Sequence, residues 1–578
     1  MKMIKPSSFL IYLANLCIFI PFLLFICFLF RPEENMIRRN TRSPIAFPLV
    51  YKAALTCFIL SLIWVVFSFS YLNNINSSQT EHPTQDTQFP ASQTQLPSTS
   101  ITDQANLLSG HTLEEHSNHV LDEEYLAKQR QKQLKQVHLQ METKERERKE
   151  REEEERQQQQ LQVEAHHHQS LRERLNAENF ILTFSTGCSP FQDWQSLALF
   201  FSAERVGQKG TIVRIASGCS DEQQEAIEHE YNQLPDQFQV HFTPDYSKDP
   251  VTGKNYYFYN KPFGILNFIR AMYGSEEGEG AHDFDQHQQE REGEIVVALL
   301  DPDFLFLSPL SDTIEEDRVI VSNAVKMQDV EGFGRVRNGK PVAQHYGIGG
   351  GWTKFKRSYI CGEGSPCINM DARTASKVLS VGPPYIATVH DWRHIATEWT
   401  KFVPKVYEEY PYLLAEMYAY SMSSAHHELP HLRLDQYMVS NVHAGGEGWP
   451  FVDDFEDMCS DEVINPHSTH PLPTFLHYCQ FYRASTWAFQ KRIVPTGIFS
   501  CSSPMFAVPP SDLQGATEKV KGVGEKTSKE KMSEREARRN AFMLCSLTKI
   551  LNQLLRRYKE LMCEGQTVNY EESIRIRK

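Results

Sequence analysis

The sequence lacks the features that mark a nucleic-acid-binding protein or a zinc ribbon. Its 578 residues contain 59 Lys and Arg against 73 Asp and Glu, which gives a net charge of −14. This acidic balance provides no basic face of the kind that nucleic acids require, and no RRM, zinc-finger or helix-turn-helix pattern occurs. None of the 12 cysteines belongs to a CxxC pair, which argues against a zinc ribbon. We therefore predict no nucleic-acid partner.

Long hydrophobic runs occur only near the N-terminus. Residues 9–30 and 53–72 are apolar, and the second run has about the 20 residues that a bilayer core requires. The basic residues between the runs are Arg31, Arg38, Arg39, Arg42 and Lys52. This positive charge favours a cytosolic segment over 1–52, a transmembrane anchor over 53–72 and a luminal remainder. Whether 9–30 also spans is left open, and the alternative is a single secretory signal peptide.

A polar region separates the apolar runs from the rest of the chain. Residues 73–121 are rich in Ser, Thr, Gln and Pro, which predicts a disordered linker. Residues 122–177 are mostly Glu, Lys, Arg and Gln, which predicts a solvated helical stem supported by i,i+4 charge pairs. A homodimer through a coiled coil stays open, although apolar a and d positions are few. We interpret the histidines at 166–168 as inert members of this polar run.

Residues 178–512 have the pattern of an α/β domain. Short apolar runs at 180–184, 211–215, 238–242 and 295–300 alternate with helical spacing at 193–206, 221–234 and 261–273. This alternation predicts crossover units and a largely parallel sheet. The acidic, Gly-rich stretch 274–293 is expected to loop out. Residues 513–578 are predicted to form a mobile linker and then a docking helix with an apolar stripe.

The strongest chemical signal lies where the fourth predicted strand ends. Asp301, Pro302 and Asp303 directly follow the apolar run 295–300. Two carboxylates at the carboxyl end of a buried strand suit a divalent cation in the crevice where α/β folds bind ligands. Oxygen ligands favour Mn²⁺ or Mg²⁺, which in turn bind a diphosphate. The alternative is a turn with two exposed carboxylates.

Several stretches, in colinear order, resemble one enzyme family. The part of the chain that follows the stem, called the head below (178–578), is similar to the plant and algal hydroxyproline O-arabinosyltransferases and peptidyl-serine α-galactosyltransferases over about 178–565. The matching stretches are 191–195 (FQDWQ), 260–262 (NKP), 300–303 (LDPD), 341–347 (PVAQHYG), 381–385 (VGPPY), 416–421 (EMYAYS), 446–450 (GEGWP), 477–479 (HYC) and 541–545 (AFMLC). The resemblance implies a GT-A glycosyltransferase fold, in which an α/β sheet binds a nucleotide sugar.

The resemblance also implies roles for individual residues. Those it assigns to the metal, Mn²⁺ or Mg²⁺, are Asp301, Asp303 and His477. Those it assigns to the nucleotide sugar are Asn260, Lys261, Asp301 and His345. A core histidine at 477 and a solvated first-turn lysine at 261 are the alternatives.

The family's products imply transfer with retention of configuration at the anomeric carbon. Such a transfer needs no strong base, because the leaving phosphate can take the proton of the acceptor hydroxyl. A carboxylate near the positively charged sugar carbon would help. Glu416 is the first candidate and Asp435 the second. For both, the alternative is a solvated or capping carboxylate.

The implied function is that of a type II Golgi (or ER) membrane enzyme. Its donor would be a UDP-sugar, and its acceptor a Hyp- or Ser-rich secreted or cell-wall protein. The stretches at 381–385 and 446–450 favour L-arabinofuranose transfer to hydroxyproline, whereas the acidic insertion and Pro302 depart from the family pattern. The alternatives are a peptidyl-serine α-galactosyltransferase, a catalytically weak scaffold or lectin-like protein, and a different metal-dependent enzyme such as a phosphodiesterase.

The cysteines add one further expectation. Nine of the 12 lie beyond the apolar N-terminus, and in a lumen several would form disulfides. Since nine is odd, at least one should stay free or pair between chains. The pairing itself cannot be derived from spacing.

Overall fold

The structure, a computed structural model, describes residues 119–248, 253–274, 286–521 and 528–576. The predicted apolar spans at 9–30 and 53–72 lie outside these residues, as does nearly all of the linker at 73–121. Of the helices in the described ranges, none combines the length and the apolar character needed to cross a bilayer.

The charged stem is a single long helix, α1 (His119–Ala177). Ion pairs at i,i+4 spacing lie on its exposed surface, as between Arg148 Nη1 and Glu152 Oε1 at 3.1 Å. Its last turns differ, because Leu171 and Leu175 are buried in the core of the head. The stem helix therefore ends by packing on the α/β domain.

The strands of the head form one large sheet and several small ones. The large sheet has the order β3-β2-β1-β4-β7-β6-β8. Its strands are β1 (Phe180–Thr186), β2 (Ile212–Ser217), β3 (Phe238–Thr243), β4 (Val296–Leu300), β6 (Val342–His345), β7 (Val381–Thr388) and β8 (Leu432–Leu434). The other strands are β5 (Phe304–Phe306), β9 (Met438–Val439), β10 (Phe475–His477), β11 (Tyr482–Ala484), β12 (Trp487–Phe489), β13 (Met505–Phe506), β14 (Glu518–Lys521), β15 (Ser528–Lys531) and β16 (Ser573–Ile574).

The large sheet is parallel on one side and mixed on the other. β1 to β4 pair in parallel and coincide with the four predicted strands, which confirms an α/β fold rich in parallel pairs. β7 runs antiparallel to both β4 and β6, and β8 pairs in parallel with β6. The strands β4, β6 and β8 therefore point the same way, and their carboxyl ends lie at one edge of the sheet.

Helices cover both faces of this sheet. After α1 they are α2 (Pro190–Val206), α3 (Asp221–Tyr231), α4 (Asn260–Tyr273), α5 (Gln286–Glu294), α6 (Met327–Val330), α7 (Arg357–Cys361), α8 (Pro366–Asn369), α9 (Ala372–Val378), α10 (Val389–Glu409), α11 (Ala415–His426), α12 (Pro450–Asp453) and α13 (Glu534–Met562). Local sequence sets several of their ends. Ser220 and Gln223 form a capping box at the start of α3, and Gly207 ends α2 in the left-handed conformation that glycine tolerates.

Alternate side chains of each strand enter different cores. Phe184 on β1 contacts Phe200 of α2 on one face, where the ring centroids are 5.5 Å apart, while Ile181 packs into the other core with α4, α10 and α11. This is the two-residue period of a sheet that is buried on both faces. On the first face, α13 packs against α2, and its Arg557 pairs with Glu204 at 2.7 Å.

Two segments differ from the sequence expectation. The stretch expected to loop out, 274–293, contains most of α5, and the expected mobile linker contains the antiparallel pair β14 and β15. Both carry charged residues without an apolar period, so the sequence pattern gave no sign of them. The apolar stripe predicted near the C-terminus lies on α13, where it is buried against the head.

Four disulfides join the cysteines of the head. The pairs are Cys188–Cys219, Cys361–Cys367, Cys459–Cys545 and Cys501–Cys563. Cys479 is the one free cysteine of the described residues. The expectation that an odd number leaves at least one unpaired is confirmed.

Removing the Cys459–Cys545 disulfide is expected to destabilise the head strongly. This bond spans 86 residues, so the Cys459→Ser/Cys545→Ser variant should lose about 4.6 kcal/mol of unfolding free energy, because the unfolded chain gains entropy. The matched control is Cys361→Ser/Cys367→Ser, whose bond spans 6 residues and should be worth about 2 kcal/mol. Urea unfolding measures both, and an equal or larger loss in the control would contradict the expectation.

Candidate functional site

The turn from Asp301 to Asp303 joins β4 to β5 at the carboxyl end of β4. β5 pairs antiparallel with β10, and this register sets His477 opposite Phe304. The backbone N–H of Tyr478 donates to the carbonyl of Asp303 at 3.1 Å. Strand pairing therefore brings a histidine from far along the chain beside the two carboxylates.

Three donor atoms face one another in this cluster. His477 Nε2 lies 3.4 Å from Asp303 Oδ1 and 4.0 Å from Asp301 Oδ2. Asp303 and His477 are each 4% exposed, while the side chain of Asp301 is 24% exposed and opens to solvent. The other ring nitrogen of His477, Nδ1, lies 3.3 Å from Met438 Sδ. The imidazole is thus oriented with Nε2 toward the carboxylates.

The second oxygen of each carboxylate forms an ion pair with a lysine. Lys261 Nζ lies 2.8 Å from Asp301 Oδ1, and Lys491 Nζ lies 2.5 Å from Asp303 Oδ2. Each carboxylate therefore places one oxygen toward a lysine and one toward His477. Two fixed ammonium groups beside a three-atom donor cluster form a setting in which anionic phosphates can also bind.

The charges of this cluster shift one another's pKa. Burial alone would raise the pKa of Asp303, but His477 and Lys491 outweigh it and hold this pKa well below its usual range. Burial alone would lower the pKa of His477, but Cys479 and Asp303 raise it well above its ordinary value. Likewise, Asp303 raises the pKa of Lys491 despite burial. Asp303 is therefore ionised at neutral pH.

The donor set fits a divalent cation. Asp301, Asp303 and His477 each offer a ligand atom, and these atoms all lie within 4.8 Å of one another. Two carboxylate oxygens with one imidazole suit Mn²⁺ well and Mg²⁺ through the oxygens. Because the pKa of His477 is raised, its Nε2 would have to release a proton on coordinating the metal. The residues present therefore match the metal that the family resemblance implies.

Glu416 belongs to the same cluster through Lys261. It lies in the first turn of α11 and is 4% exposed. Its Oε1 is 3.5 Å from Lys261 Nζ and, within the described part of the chain, has no hydrogen bond. Burial first, and then the charge of Asp301, raise the pKa of Glu416 to about 6, although Lys261 offsets part of the rise. One lysine thus lies between two carboxylates that come from different elements.

His345 and Asp435 form a second pair at the same edge of the sheet. His345 ends β6 and Asp435 follows β8, and these strands are parallel neighbours. His345 Nδ1 lies 2.8 Å from Asp435 Oδ1, and Asp435 is 1% exposed. Asp435 Oδ1 thereby orients an imidazole, while Asp435 Oδ2, like Glu416 Oε1, has no hydrogen bond within the described residues. Glu416 shares Lys261 with Asp301, so the geometry connects Glu416 rather than Asp435 to the donor cluster.

A methyl group at position 446 is expected to separate the His345–Asp435 pair. A Cβ at Gly446 would lie 2.9 Å from His345 Nδ1, so Gly446→Ala should displace the ring and leave a buried carboxylate unpaired, at a cost of about 1–3 kcal/mol. Gly445→Ala is the matched control, because a Cβ there meets no atom of the described residues within 4 Å. Thermal unfolding of both variants measures the difference. Equal melting temperatures would contradict the close approach.

Asn260 lies apart from the donor cluster. Its side-chain Oδ1 accepts a hydrogen bond from the backbone N–H of Tyr246 at 2.7 Å, and its Nδ2 lies 3.4 Å from Asp245 Oδ1. These contacts hold the loop that follows β3 at the start of α4. A role of Asn260 toward a nucleotide would therefore act through this loop.

Sequence reasoning missed Lys491. It lies in a short 3-10 turn, Lys491–Ile493, far from the Asp301–Asp303 motif in the chain. A lone lysine in a polar stretch has no local signal, since only the tertiary fold brings it to Asp303. Sequence reasoning also missed the link from Lys261 to Glu416, although it selected both residues.

Comparison with known proteins adds two relatives. No family model matches the chain. A peptidyl serine alpha-galactosyltransferase of Arabidopsis thaliana is 23% identical over 315 residues, which cover 53% of this chain and 31% of the relative. A Chlamydomonas reinhardtii protein of the same name is 33% identical over 89 residues, 15% of this chain and 11% of the relative. The chain thus spans less than a third of these relatives. They confirm the resemblance to this family.

Solved structures of glycosyltransferases are also similar to part of the chain. The apo structure of the bifunctional glycosyltransferase WbbM covers 52% of this chain and 46% of its own, with 12% identity and a TM-score of 0.26. The galactosyltransferase LgtC with donor and acceptor sugar analogs covers 53% and 89%, with 11% identity and a TM-score of 0.24. These scores are too low to establish a shared fold.

Proposed function

We propose that this chain is a metal-dependent, retaining glycosyltransferase of GT-A type that transfers a sugar from a UDP-sugar to a protein hydroxyl. The observation that carries the proposal is the cluster of Asp301, Asp303 and His477 at the carboxyl end of β4. The names of the two relatives support galactose as the sugar and serine as the acceptor.

The donor side of the site would bind the diphosphate. Asp301, Asp303 and His477 would hold Mn²⁺ or Mg²⁺, which when bound neutralises charge on the departing diphosphate. Lys261 and Lys491 provide two positive charges next to these carboxylates, where they would attract the phosphate oxygens of the donor. Asn260 and His345 are proposed to border the nucleotide sugar, Asn260 by holding the loop after β3.

Glu416 is proposed to act on the sugar carbon. In a retaining transfer the leaving phosphate takes the acceptor proton, so no strong base is required of the protein. A buried carboxylate facing the anomeric centre would stabilise the positive charge that develops there. With a pKa of about 6, Glu416 is mostly ionised at neutral pH. Asp435 would serve by keeping the His345 ring in place.

We also propose that the chain is a single-pass type II protein of the Golgi or ER membrane. Residues 53–72 would form the anchor, and the head would lie in the lumen. Four disulfides in the head support an oxidising compartment. The long polar helix α1 would then hold the head away from the membrane, as one chain or as a homodimer.

Transfer of L-arabinofuranose to hydroxyproline is the second candidate. The stretches at 381–385 and 446–450, which favour it in the sequence, contain glycines that lie against His345 and against Tyr346, the residue that follows His345 in the chain. A Cβ at Gly382 would lie 2.5 Å from Tyr346 Cδ2, and one at Gly446 would lie 2.9 Å from His345 Nδ1. We propose that Gly382 and Gly446, by setting the positions of the Tyr346 and His345 rings, contribute to the choice between a pentose and a hexose.

A donor and acceptor screen of the full chain tests the proposal. UDP-galactose and UDP-L-arabinofuranose would each be offered with a Ser-rich and a Hyp-rich peptide, in Mn²⁺ and in EDTA. We expect galactose on the Ser-rich peptide, only with metal and in the α configuration. Arabinofuranose on the Hyp-rich peptide would favour the second candidate. A folded chain that binds UDP but neither transfers nor hydrolyses any donor would instead be a scaffold or lectin-like protein.

A further inference from the structure

We propose that Glu398, His426 and His427 form a second metal site, selective for a transition-metal dication such as Zn²⁺. Each residue is half-buried and offers one ligand atom, and these atoms all lie within 4.8 Å of one another. No residue of this group belongs to the Asp301–Asp303–His477 cluster. The proposal does not depend on the proposed function.

Two packed helices build this site. His390, His394 and Glu398 recur every four residues along α10 and so share one face of that helix. His426 is the last residue of α11 and His427 is its C-cap. A helix C-terminus has partial negative charge, which favours a bound cation. The histidine-rich face of α10 and the C-terminal end of α11 therefore both contribute ligand atoms to the same site.

Each of the two histidines has one ring nitrogen available and the other already engaged. His426 Nδ1 lies 2.9 Å from the Ser365 hydroxyl, and the ring of His427 donates a hydrogen bond to the backbone carbonyl of His394. His427 Nε2 is buried and has no hydrogen bond partner in the described ranges. Metal-binding histidines typically use their second nitrogen in this way, because the contact fixes the ring.

Ser365 is itself held in place to receive His426. Its hydroxyl accepts a hydrogen bond from the Cys367 backbone N–H at 3.2 Å, in a loop closed by the Cys361–Cys367 disulfide. A serine oxygen has two lone pairs, so it can accept from His426 Nδ1–H as well. This leaves His426 Nε2 as the nitrogen for a metal.

The ligand chemistry differs from that of the first cluster. Two imidazoles and one carboxylate suit Zn²⁺, which takes four tetrahedral ligands, whereas an oxygen-rich set suits Mn²⁺ or Mg²⁺. The fourth position is open to water or to the neighbouring His394, whose ring centroid is 5.1 Å from that of His427. Glu398 Oε1 also pairs with the exposed Lys401 at 2.8 Å, and a metal could take the other carboxylate oxygen.

A metal here would clamp the end of α11 to α10. Glu416 lies in the first turn of α11, so the site is about 15 Å from it along the helix axis, at 1.5 Å per residue. The ion would therefore have a structural role, holding the helix that carries Glu416 without touching the donor cluster.

Zinc binding to the full chain tests the site. The stem histidines could bind metal on their own, so His166→Gln/His167→Gln/His168→Gln is the background for every variant. Equilibrium dialysis with elemental analysis should find one tightly bound Zn²⁺ per chain, with a higher melting temperature than in the metal-free protein. His427→Gln and Glu398→Gln should each weaken binding at least about tenfold, because each removes a ligand.

Two controls separate this site from others. Asp301→Asn removes a ligand of the first cluster, and His467→Gln changes an exposed histidine elsewhere; both should keep the bound Zn²⁺. If His427→Gln has no cooperative melt, Glu398→Gln decides. The proposal is overturned if the background binds no stoichiometric Zn²⁺, if the folded ligand variants bind it as tightly as the background, or if Asp301→Asn alone removes it.

Discussion

Asp303→Asn is expected to lower sugar transfer by about 10²- to 10³-fold, because it removes a charged ligand from the centre that would stabilise the leaving diphosphate. The cause should be visible without turnover, as a loss of Mn²⁺ binding in a titration of the purified chain. Asp303 is buried between His477 and Lys491.

The same substitution also leaves Lys491 without its partner, and this effect must be separated from catalysis. Removing one member of a buried ion pair costs roughly 3 kcal/mol of unfolding free energy, so Asp303→Asn should melt earlier than the parent. Asp303→Asn/Lys491→Met removes both charges and should recover most of that stability. If it recovers transfer as well, the loss came from unfolding and Asp303 has no role in the chemistry.

Glu416→Gln is expected to stabilise the protein while lowering transfer by about 10²-fold. The pKa of Glu416 is raised to about 6 against 4.5 in the unfolded chain. A shift of this size means that the ionised side chain costs the folded state about 2 kcal/mol at pH 7. Glutamine keeps the shape and removes the charge, so urea unfolding at pH 7 should show a gain of up to that amount, less any contact that the charged Lys261 loses.

The stability gain of Glu416→Gln and the transfer activity of the parent should both depend on pH, in directions that follow from the raised pKa of Glu416. A raised pKa means that the folded state holds the proton more tightly, so the penalty is absent below pH 4.5 and complete above pH 6. The stability advantage of Glu416→Gln should therefore vanish as the pH falls below about 4.5. Transfer by the parent should rise with pH through about 6, and the variant should lack this step. A variant that keeps both full activity and the step would exclude Glu416 from the site.

The parts of the molecule that follow local rules are those that sequence analysis predicts well. β1 to β4 are short apolar runs separated by helical spacing, so their order and the position of Asp301 and Asp303 follow from pattern alone. β7 is harder, because its sequence, VGPPYIAT, contains a glycine and two prolines. Its antiparallel insertion between β4 and β6 depends on tertiary packing.

The site divides in the same way. Asp301 and Asp303 adjoin a recognisable strand, whereas His477 and Glu416 came from the family resemblance. Neither the strand pattern nor the family resemblance indicated Lys491, because its ion pair with Asp303 depends on the tertiary fold that also pairs β5 with β10. The sequence analysis selected neither His426 nor His427, because only the packing of α10 on α11 places Glu398 beside them.

The position of Lys261 between Asp301 and Glu416 makes proton uptake and cation uptake thermodynamically linked. A cation that competes for Asp301 leaves the ammonium more fully to Glu416 and so favours its ionised form. By reciprocity, protonating Glu416 leaves the ammonium to Asp301 and weakens cation binding there by the same factor. A calorimetric titration near pH 6 should accordingly record protons released to the buffer.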